Sequence, residues 1–326
     1  MALKTTKRYL VPDDFMADPS VHVWNGKLYI YPSHDWESGI PENDNGDHFN
    51  MKDYHVFTID GDPMTAPVVD HGVILDTEDI PWHGRQLWDC DVAVKNGKYY
   101  LYFPLKDQND IFRMGVATAD RPEGPFTPEP DPIRGSYSID QCVFEDGGRH
   151  YVYFGGLWGG QLQRYRNNKA LESAILPEGD EPALCPKVAL LSDDMKQFAA
   201  PPQDVVLLNP DGTPMKASDP HRFFEASWMH KYNGKYYYSY STGNTHFLCY
   251  AVGDSPTGPF TYRGVILTPV VGWTTHHSIV EYRGKWYLFH HDSVPSGGRT
   301  WLRSLKVCEL TYDENGDILT IEGMDE

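Results

Sequence analysis

Asp89-Cys90-Asp91-Val92-Ala93-Val94-Lys95-Asn96-Gly97-Lys98-Tyr99-Tyr100-Leu101-Tyr102 decides the fold. Val92 and Val94 alternate along the first arm, Asn96-Gly97 supplies a tight turn, and Tyr100 and Tyr102 alternate along the return. That is the pattern of a β-hairpin. Four other stretches repeat it, each with an acidic or His-bearing lead, a hydrophobic strand, a glycine turn and an aromatic strand. They begin at Ala17-Asp18-Pro19-Ser20, Ser138-Ile139-Asp140-Gln141, Glu225-Ala226-Ser227-Trp228 and His276-His277-Ser278-Ile279, and their turn glycines are Gly26, Gly148, Gly234 and Gly284. Repetition at this scale predicts a modular architecture.

A second pattern follows the hairpins. Gly115-Val116-Ala117-Thr118-Ala119 runs into Pro122-Glu123-Gly124-Pro125-Phe126, and Tyr250-Ala251-Val252-Gly253 runs into Pro256-Thr257-Gly258-Pro259-Phe260. Each reads as a third strand, a turn and the start of a fourth, and Gly72-Val73-Ile74-Leu75 recurs as a fourth strand in Gly264-Val265-Ile266-Leu267. Four antiparallel strands, five times over, predict an all-β, five-bladed β-propeller. A β-sandwich is the alternative, but it leaves five matched hairpins unexplained. No linker, charge block or low-complexity tract divides the chain, so residues 1–326 are expected to form a single catalytic domain. The uneven spacing of the turns requires insertions at 36–49 and 167–184. Loops of that length are often functional, and Ala170-Leu171-Glu172-Ser173-Ala174 in the second is expected to form a short helix.

Composition bounds the function. Hydrophobic residues make up 40% of the 326 and aromatic residues 13%, with 21 Tyr, which supports a large core and suits a half-wet β surface with faces for sugar rings. A net charge of −18 argues against nucleic acid or an anionic membrane as partner. Cys90, Cys142, Cys185, Cys249 and Cys308 share no metal spacing and read as buried thiols. Residues 1–8 have no apolar core, so no secretory leader is expected there, and the compartment is left open between the cytoplasm and a mature periplasmic or secreted form.

In a propeller the first strand of each blade lines the central channel, so the leads Asp18, Asp91, Asp140, Glu225 and His276 are expected to converge on one axis. Clustered carboxyls cannot all keep ordinary proton affinities, and burial with like charge separates an acid from a base. Glycoside hydrolysis needs that pair. A propeller that only binds carbohydrate or protein would not need three different acids at matched positions.

The runs Ala17-Asp18-Pro19-Ser20, Ser136-Tyr137-Ser138-Ile139-Asp140, Phe224-Glu225-Ala226-Ser227-Trp228-Met229-His230-Lys231 and His276-His277-Ser278-Ile279-Val280 resemble glycoside hydrolase family 43, and the resemblance covers nearly the whole chain. It implies an inverting enzyme acting on xylan, arabinoxylan or arabinan oligosaccharides, most readily an exo-acting β-D-xylosidase or α-L-arabinofuranosidase, with an endo-acting xylanase or arabinanase as the sister possibility. Asp18 is implied as general base, Glu225 as general acid and Asp140 as the residue that tunes the acid. Inversion needs the two carboxyls roughly 6.5–9.5 Å apart, to leave room for water. Arg303 matches a position that reaches the substrate or the base. His276 matches an axial histidine that often faces calcium or water; no cofactor is needed for the chemistry, and a structural calcium on the axis is expected at most. Asp91, Trp88, Trp158 and Trp228 complete the expected substrate-binding set, with Trp273 and Tyr31 as further platforms; core packing between blades is the competing role for each ring. Asp89 is an extra carboxylate beside Asp91, and His290-His291 is expected to be structural or at the rim. Gln141-Cys142 and Asp89-Cys90-Asp91 depart from the family pattern beside the pocket.

Overall fold

A computed structural model describes residues 2–273 and 275–324. Its strands form five blades. Blade one comprises Met16–Trp24, Lys27–Trp36, Asn50–Ile59 and Val68–Asp76 in sequential antiparallel order. Blade two adds Arg85–Leu87 at its inner edge beside Asp91–Lys95, both paired with Lys98–Lys106. Blade three runs from Cys142–Asp146 to Gln203–Asp204. Blade four runs from Phe223–Tyr232 to Phe260–Leu267, with Leu207–Leu208 added in parallel at its outer edge.

Blade five closes the ring in a way the repeat does not announce. Its outermost strand is Arg8–Tyr9 from the start of the chain, paired with Ser304–Leu310 as Arg8↔Val307 and Tyr9↔Lys306. The Tyr9 hydroxyl donates to Asp292 (2.9 Å). Each inner strand contacts the next around the ring, and the Ser278–Tyr282 strand returns to Met16–Trp24. Five blades thus surround one axis.

The glycine turns make this geometry. Asn25-Gly26, Asn96-Gly97, Gly147-Gly148, Asn233-Gly234 and Arg283-Gly284 all have φ between 47° and 80° at both turn residues. This is the type I′ signature, whose twist matches that of the flanking strands.

The tyrosines behave differently from the expected half-wet surface. Tyr31, Tyr102, Tyr153, Tyr238 and Tyr240 are fully buried. Their hydroxyls are satisfied inside the protein: Tyr31 donates to Pro122 O, Tyr102 to Met195 O and Tyr240 to His221 O. A buried ring of this size contributes about 2 kcal/mol, provided the hydroxyl has a partner. Tyr31 is therefore a core residue and not a sugar platform. Ala170–Ala174 does not form the expected helix: Lys169–Ala170 pairs with Tyr165–Arg166 and the rest is irregular. Among the described residues the helical turns are 3₁₀ turns only. None of the five cysteines is in a disulfide among the described residues, and all but Cys185 are buried.

Asp91, expected on the axis as a substrate ligand, is instead a clamp between blades. It is 1% exposed. Its Oδ1 accepts from Ser20 Oγ (2.5 Å) and the Val92 amide (2.8 Å), and lies 2.6 Å from His22 Nε2; its Oδ2 accepts from the Val143 amide (2.5 Å). Blades one, two and three meet on this carboxylate. Asp91→Ala orphans two buried amides, so urea denaturation should show a loss of about 3 kcal/mol. A loss under about 0.5 kcal/mol would mean that the clamp bears no load.

Candidate active site

The strands are broken where they present carboxyls. The pairing of Met16–Trp24 shifts register between Ala17 and Ser20, and Asp18 between them has φ 45°. The pairing of Phe223–Tyr232 shifts on both sides of Glu225, and the next residue, Ala226, has φ 65°. Asp140, just before its blade's inner strand, has φ 63°. Non-glycine residues held there cost of order 1–3 kcal/mol each. Bulges of this kind re-aim side chains, and here Asp18, Asp140, Glu225 and His276 all line one cavity of ≈ 360 Å³.

Arg303 enters from blade five and organises the base of that cavity. Its Nη1 donates to Asp18 Oδ1 (2.7 Å), while Nε and Nη2 donate to the two oxygens of Asp35 (2.8 and 2.7 Å). Its amide also donates to Asp35 (2.9 Å). Burial is the largest single influence and works to raise the Asp18 carboxyl, but Arg303, with His291, His276 and the Ser33 hydroxyl behind it, outweighs burial and brings the pKa down to about 2. Burial opposes the Arg303 charge in turn, and Asp18 and Asp35 hold its pKa above the ordinary value. His291 supports Asp18 from behind: the Asp18 amide donates to His291 Nδ1 (3.1 Å). His276 Nδ1 lies 3.8 Å from Asp18 Oδ1.

A second pair behaves in the opposite sense. Asp89 and Asp140 are hydrogen-bonded carboxyls, and burial pushes both up, Asp89 to about 8. In this pair burial favours the protonated form. Asp140 Oδ2 accepts from the Ala226 amide (2.6 Å), which ties it to the strand that carries Glu225. Asp89, Asp140 and His276 offer ligand atoms that all lie within 4.8 Å of one another.

Aromatic rings and the 36–49 insertion form the walls. Trp88 packs on Phe112 (4.7 Å) and Phe49 (5.9 Å) and donates to Phe49 O. A Cβ at Gly46 would come within 2.7 Å of the Trp88 ring, and one at Gly159 within 2.9 Å of Asn45 O, so these glycines make room for Trp88 and the loop above it. Trp158 and Trp273 lie 5.2 Å apart on the wall. The insertion supplies Glu42, Asn43, Asp44, Gly46, His48 and Phe49 to the lining; the 167–184 insertion supplies none among the described residues.

Trp228 is not in this cavity. Three residues past Glu225, beyond the bulge, it packs between blades four and five, where Nε1 donates to Ile279 O (3.1 Å) and the ring lies 5.9 Å from His22. In blade two it is Asp89 and not Asp91 that reaches the site. The strand does not start until Asp91, so Asp89 lies on the irregular run before it. The doubled acid Asp89-Cys90-Asp91 was the available signal, and it carries no register. Asp35 had no motif to mark it, and His291, expected to be structural or at the rim, is buried against Asp18. Arg299, four residues before Arg303, pairs with Glu37 at the surface.

The profile described as Glycosyl hydrolases family 43 matches residues 11–318. A xylosidase/arabinosidase of Bacteroides ovatus is 74% identical over 326 residues, covering 99% of this chain and 100% of its own. A beta-xylosidase of Xylanibacter ruminicola is 64% identical, covering 97% of this chain and 99% of its own. Among solved structures, RS223 beta-xylosidase superimposes with a TM-score of 0.96 at 71% identity, covering 98% of this chain and 99% of that one. A beta-xylosidase/alpha-arabinofuranosidase from a compost metagenome, solved with xylotriose in a calcium-free form, superimposes at 0.95 with 56% identity over the full length of both chains.

The Asp18–Arg303 pair sets a pH response. Because the folded pKa is depressed, the pair stabilises the fold above about pH 4, and that contribution, about 2 kcal/mol, is lost as the pH falls towards 2. In Arg303→Met the burial of Asp18 loses its strongest opponent, and only His291, His276 and Ser33 still act against it. Its carboxyl should then titrate clearly above 2 in a ¹³C-carboxyl NMR titration. A carboxyl still titrating near 2 would show that Arg303 does not hold it down.

Proposed function

The chain belongs to glycosyl hydrolases family 43 and is a glycosidase, and from that premise we propose that it removes terminal β-D-xylosyl or α-L-arabinofuranosyl units from xylan, arabinoxylan or arabinan oligosaccharides with inversion. On this reading residues 1–326 act as a single catalytic propeller. The names of its full-length relatives and the xylotriose held by a structural neighbour support the substrate class.

The observation that carries the reading is the division of proton affinity within one cavity. Asp18 is lowered to about 2, and Asp89 and Asp140 are pushed up. Asp18, ionised at every working pH, holds the attacking water and takes its proton. Glu225, protonated when substrate binds, gives its proton to the leaving oxygen as the glycosidic bond breaks. Asp140 positions and tunes Glu225 through the Ala226 amide, and Asp89 shares its proton. Positive charge develops on the sugar ring in the transition state, and the fixed Asp18 carboxylate stabilises it without reorganisation.

Arg303, His276, Trp88 and Trp158 are the substrate-binding residues of this proposal. Trp158 and Trp273 offer faces to a sugar ring, and residues 42–49 close one side, which suits a chain end better than a continuous chain. The chemistry needs no cofactor. Asp89, Asp140 and His276 would hold a calcium ion on the axis: two carboxyls and water satisfy its preference for oxygen, and it would supply positive charge in place of the shared proton.

Aryl β-D-xyloside and aryl α-L-arabinofuranoside test the assignment. Glu225→Gln and Asp18→Asn should each lower kcat by at least about 10³-fold, within the range for loss of an acid or base, with circular dichroism unchanged. Wild-type turnover in either variant would overturn the roles. Proton NMR of the first-formed sugar should show α-xylose from the β-xyloside; β-xylose would exclude inversion.

A further inference from the structure

Strand alternation turns the neighbours of Asp35 away from the cavity. Asp35 faces Arg303, and His34 on the same strand pairs with Asp53 instead. His34 sits where the pairing of Lys27–Trp36 with Asn50–Ile59 shifts register, between Ser33 and Asp35. Asp53 and His55 are two apart on the partner strand, whose outer pairing also shifts on both sides of His55. These bulges gather three donors: His34 Nδ1 lies 2.9 Å and His55 Nε2 3.4 Å from the same oxygen, Asp53 Oδ2. All three ligand atoms lie within 4.8 Å of one another. Donors bound to one zinc-sized ion at about 2.0–2.2 Å stand about 2.9–3.5 Å apart at octahedral or tetrahedral angles.

The outer ring of contacts is the more specific observation. Each imidazole has its other nitrogen on a carboxylate: His34 Nε2 is 3.3 Å from Asp14 Oδ2, and His55 Nδ1 is 3.1 Å from Asp70 Oδ1. The free oxygen of Asp53 accepts from Trp36 Nε1 (2.8 Å). Protein metal sites fix their ligands in this way, a histidine donating its second N–H to a carboxylate and a ligating carboxylate held by a further donor. Three carboxylates around two imidazoles also leave the site attractive to a cation. The His34 and Asp53 side chains are 7% and 6% exposed, whereas His55 is 15% exposed and Asp14 and Asp70 are 47%, so an ion has a path in from solvent.

We propose that His34, Asp53 and His55 form a binding site for a divalent transition-metal ion of the zinc type, on blade one and separate from the axial cavity. Two nitrogen donors select late first-row metals over calcium or magnesium. Three protein ligands leave a position for water. A metal here staples the second and third strands of blade one beside Asp35, the residue that holds Arg303, so its role is to stiffen the mount of the cavity.

Chelated full-length protein tests this by calorimetric titration with Zn²⁺ and by visible absorption with Co²⁺. One Zn²⁺ per chain should bind at this site, and Co²⁺ should give a band of nitrogen and oxygen coordination. His55→Ala should weaken Zn²⁺ binding by at least about 100-fold, and Asp70→Asn, which removes the charge behind His55, by about 10-fold. His276→Ala should leave this binding event in place. In chelator, His55→Ala should hydrolyse aryl xyloside like wild type, which shows that it is folded. The proposal is overturned if wild type takes up no Zn²⁺ at micromolar concentration. It also fails if His55→Ala and Asp70→Asn bind as tightly as wild type, or if His276→Ala abolishes the event.

Discussion

Arg303 is a buried cation held between two buried carboxylates that come from a different blade. Asp18 and Asp35 lie on the first two strands of blade one, and Arg303 leads into the last strand of blade five. Ions removed from water must be paired, and losing one partner of such a group typically costs about 3–5 kcal/mol. The contact therefore couples the closure of the ring to the state of the site. The strand Ser304–Leu310 that follows Arg303 also pairs with Arg8–Tyr9. The seam where the two ends of the chain meet is the seam where the proposed base receives its counter-charge.

The rest of the cavity follows from keeping one cation on one side. Near Arg303 the carboxyl is an acceptor at all working pH. Away from it, Asp89 and Asp140 have no comparable cation among the described residues, and burial favours their protonated forms. Two carboxyl environments of opposite character in ≈ 360 Å³ are what hydrolysis of a glycosidic bond requires. The positive φ values at Asp18, Asp140 and Ala226 are the backbone cost of aiming these groups inward.

Bulges recur on strands that present polar groups. They present Asp18 and Glu225 to the axis, and they gather His34, Asp53 and His55 on the other side of blade one. Regularly paired strand, as along Lys235–Thr242 against Leu248–Gly253, carries much of the tyrosine and aliphatic core. The insertions differ in the same spirit: 36–49 folds over the cavity against Trp88, while 167–184 stays clear of it.

Local pattern was enough for the hairpins, because alternation and an Asn-Gly turn are properties of a few adjacent residues. It was enough for Asp18, Asp140, Glu225, His276, Trp88, Trp158 and Arg303 to be picked out as one group, because each sits at a fixed offset from a repeated turn or in a recognisable run. It failed where register or long-range partners decide. Asp91 and Asp89 are two residues apart, and only the inserted strand Arg85–Leu87 and the late start at Asp91 send one to the cavity and the other between blades. Trp228 lies beyond a bulge that no spacing reveals. Asp35 and His291 act on residues some 270 positions away. The chain by itself determined the blade and most of the groups brought to the axis. Tertiary structure decided which carboxylate meets Arg303 and which keeps a proton, because burial and charge separation depend on neighbours that the sequence does not place side by side.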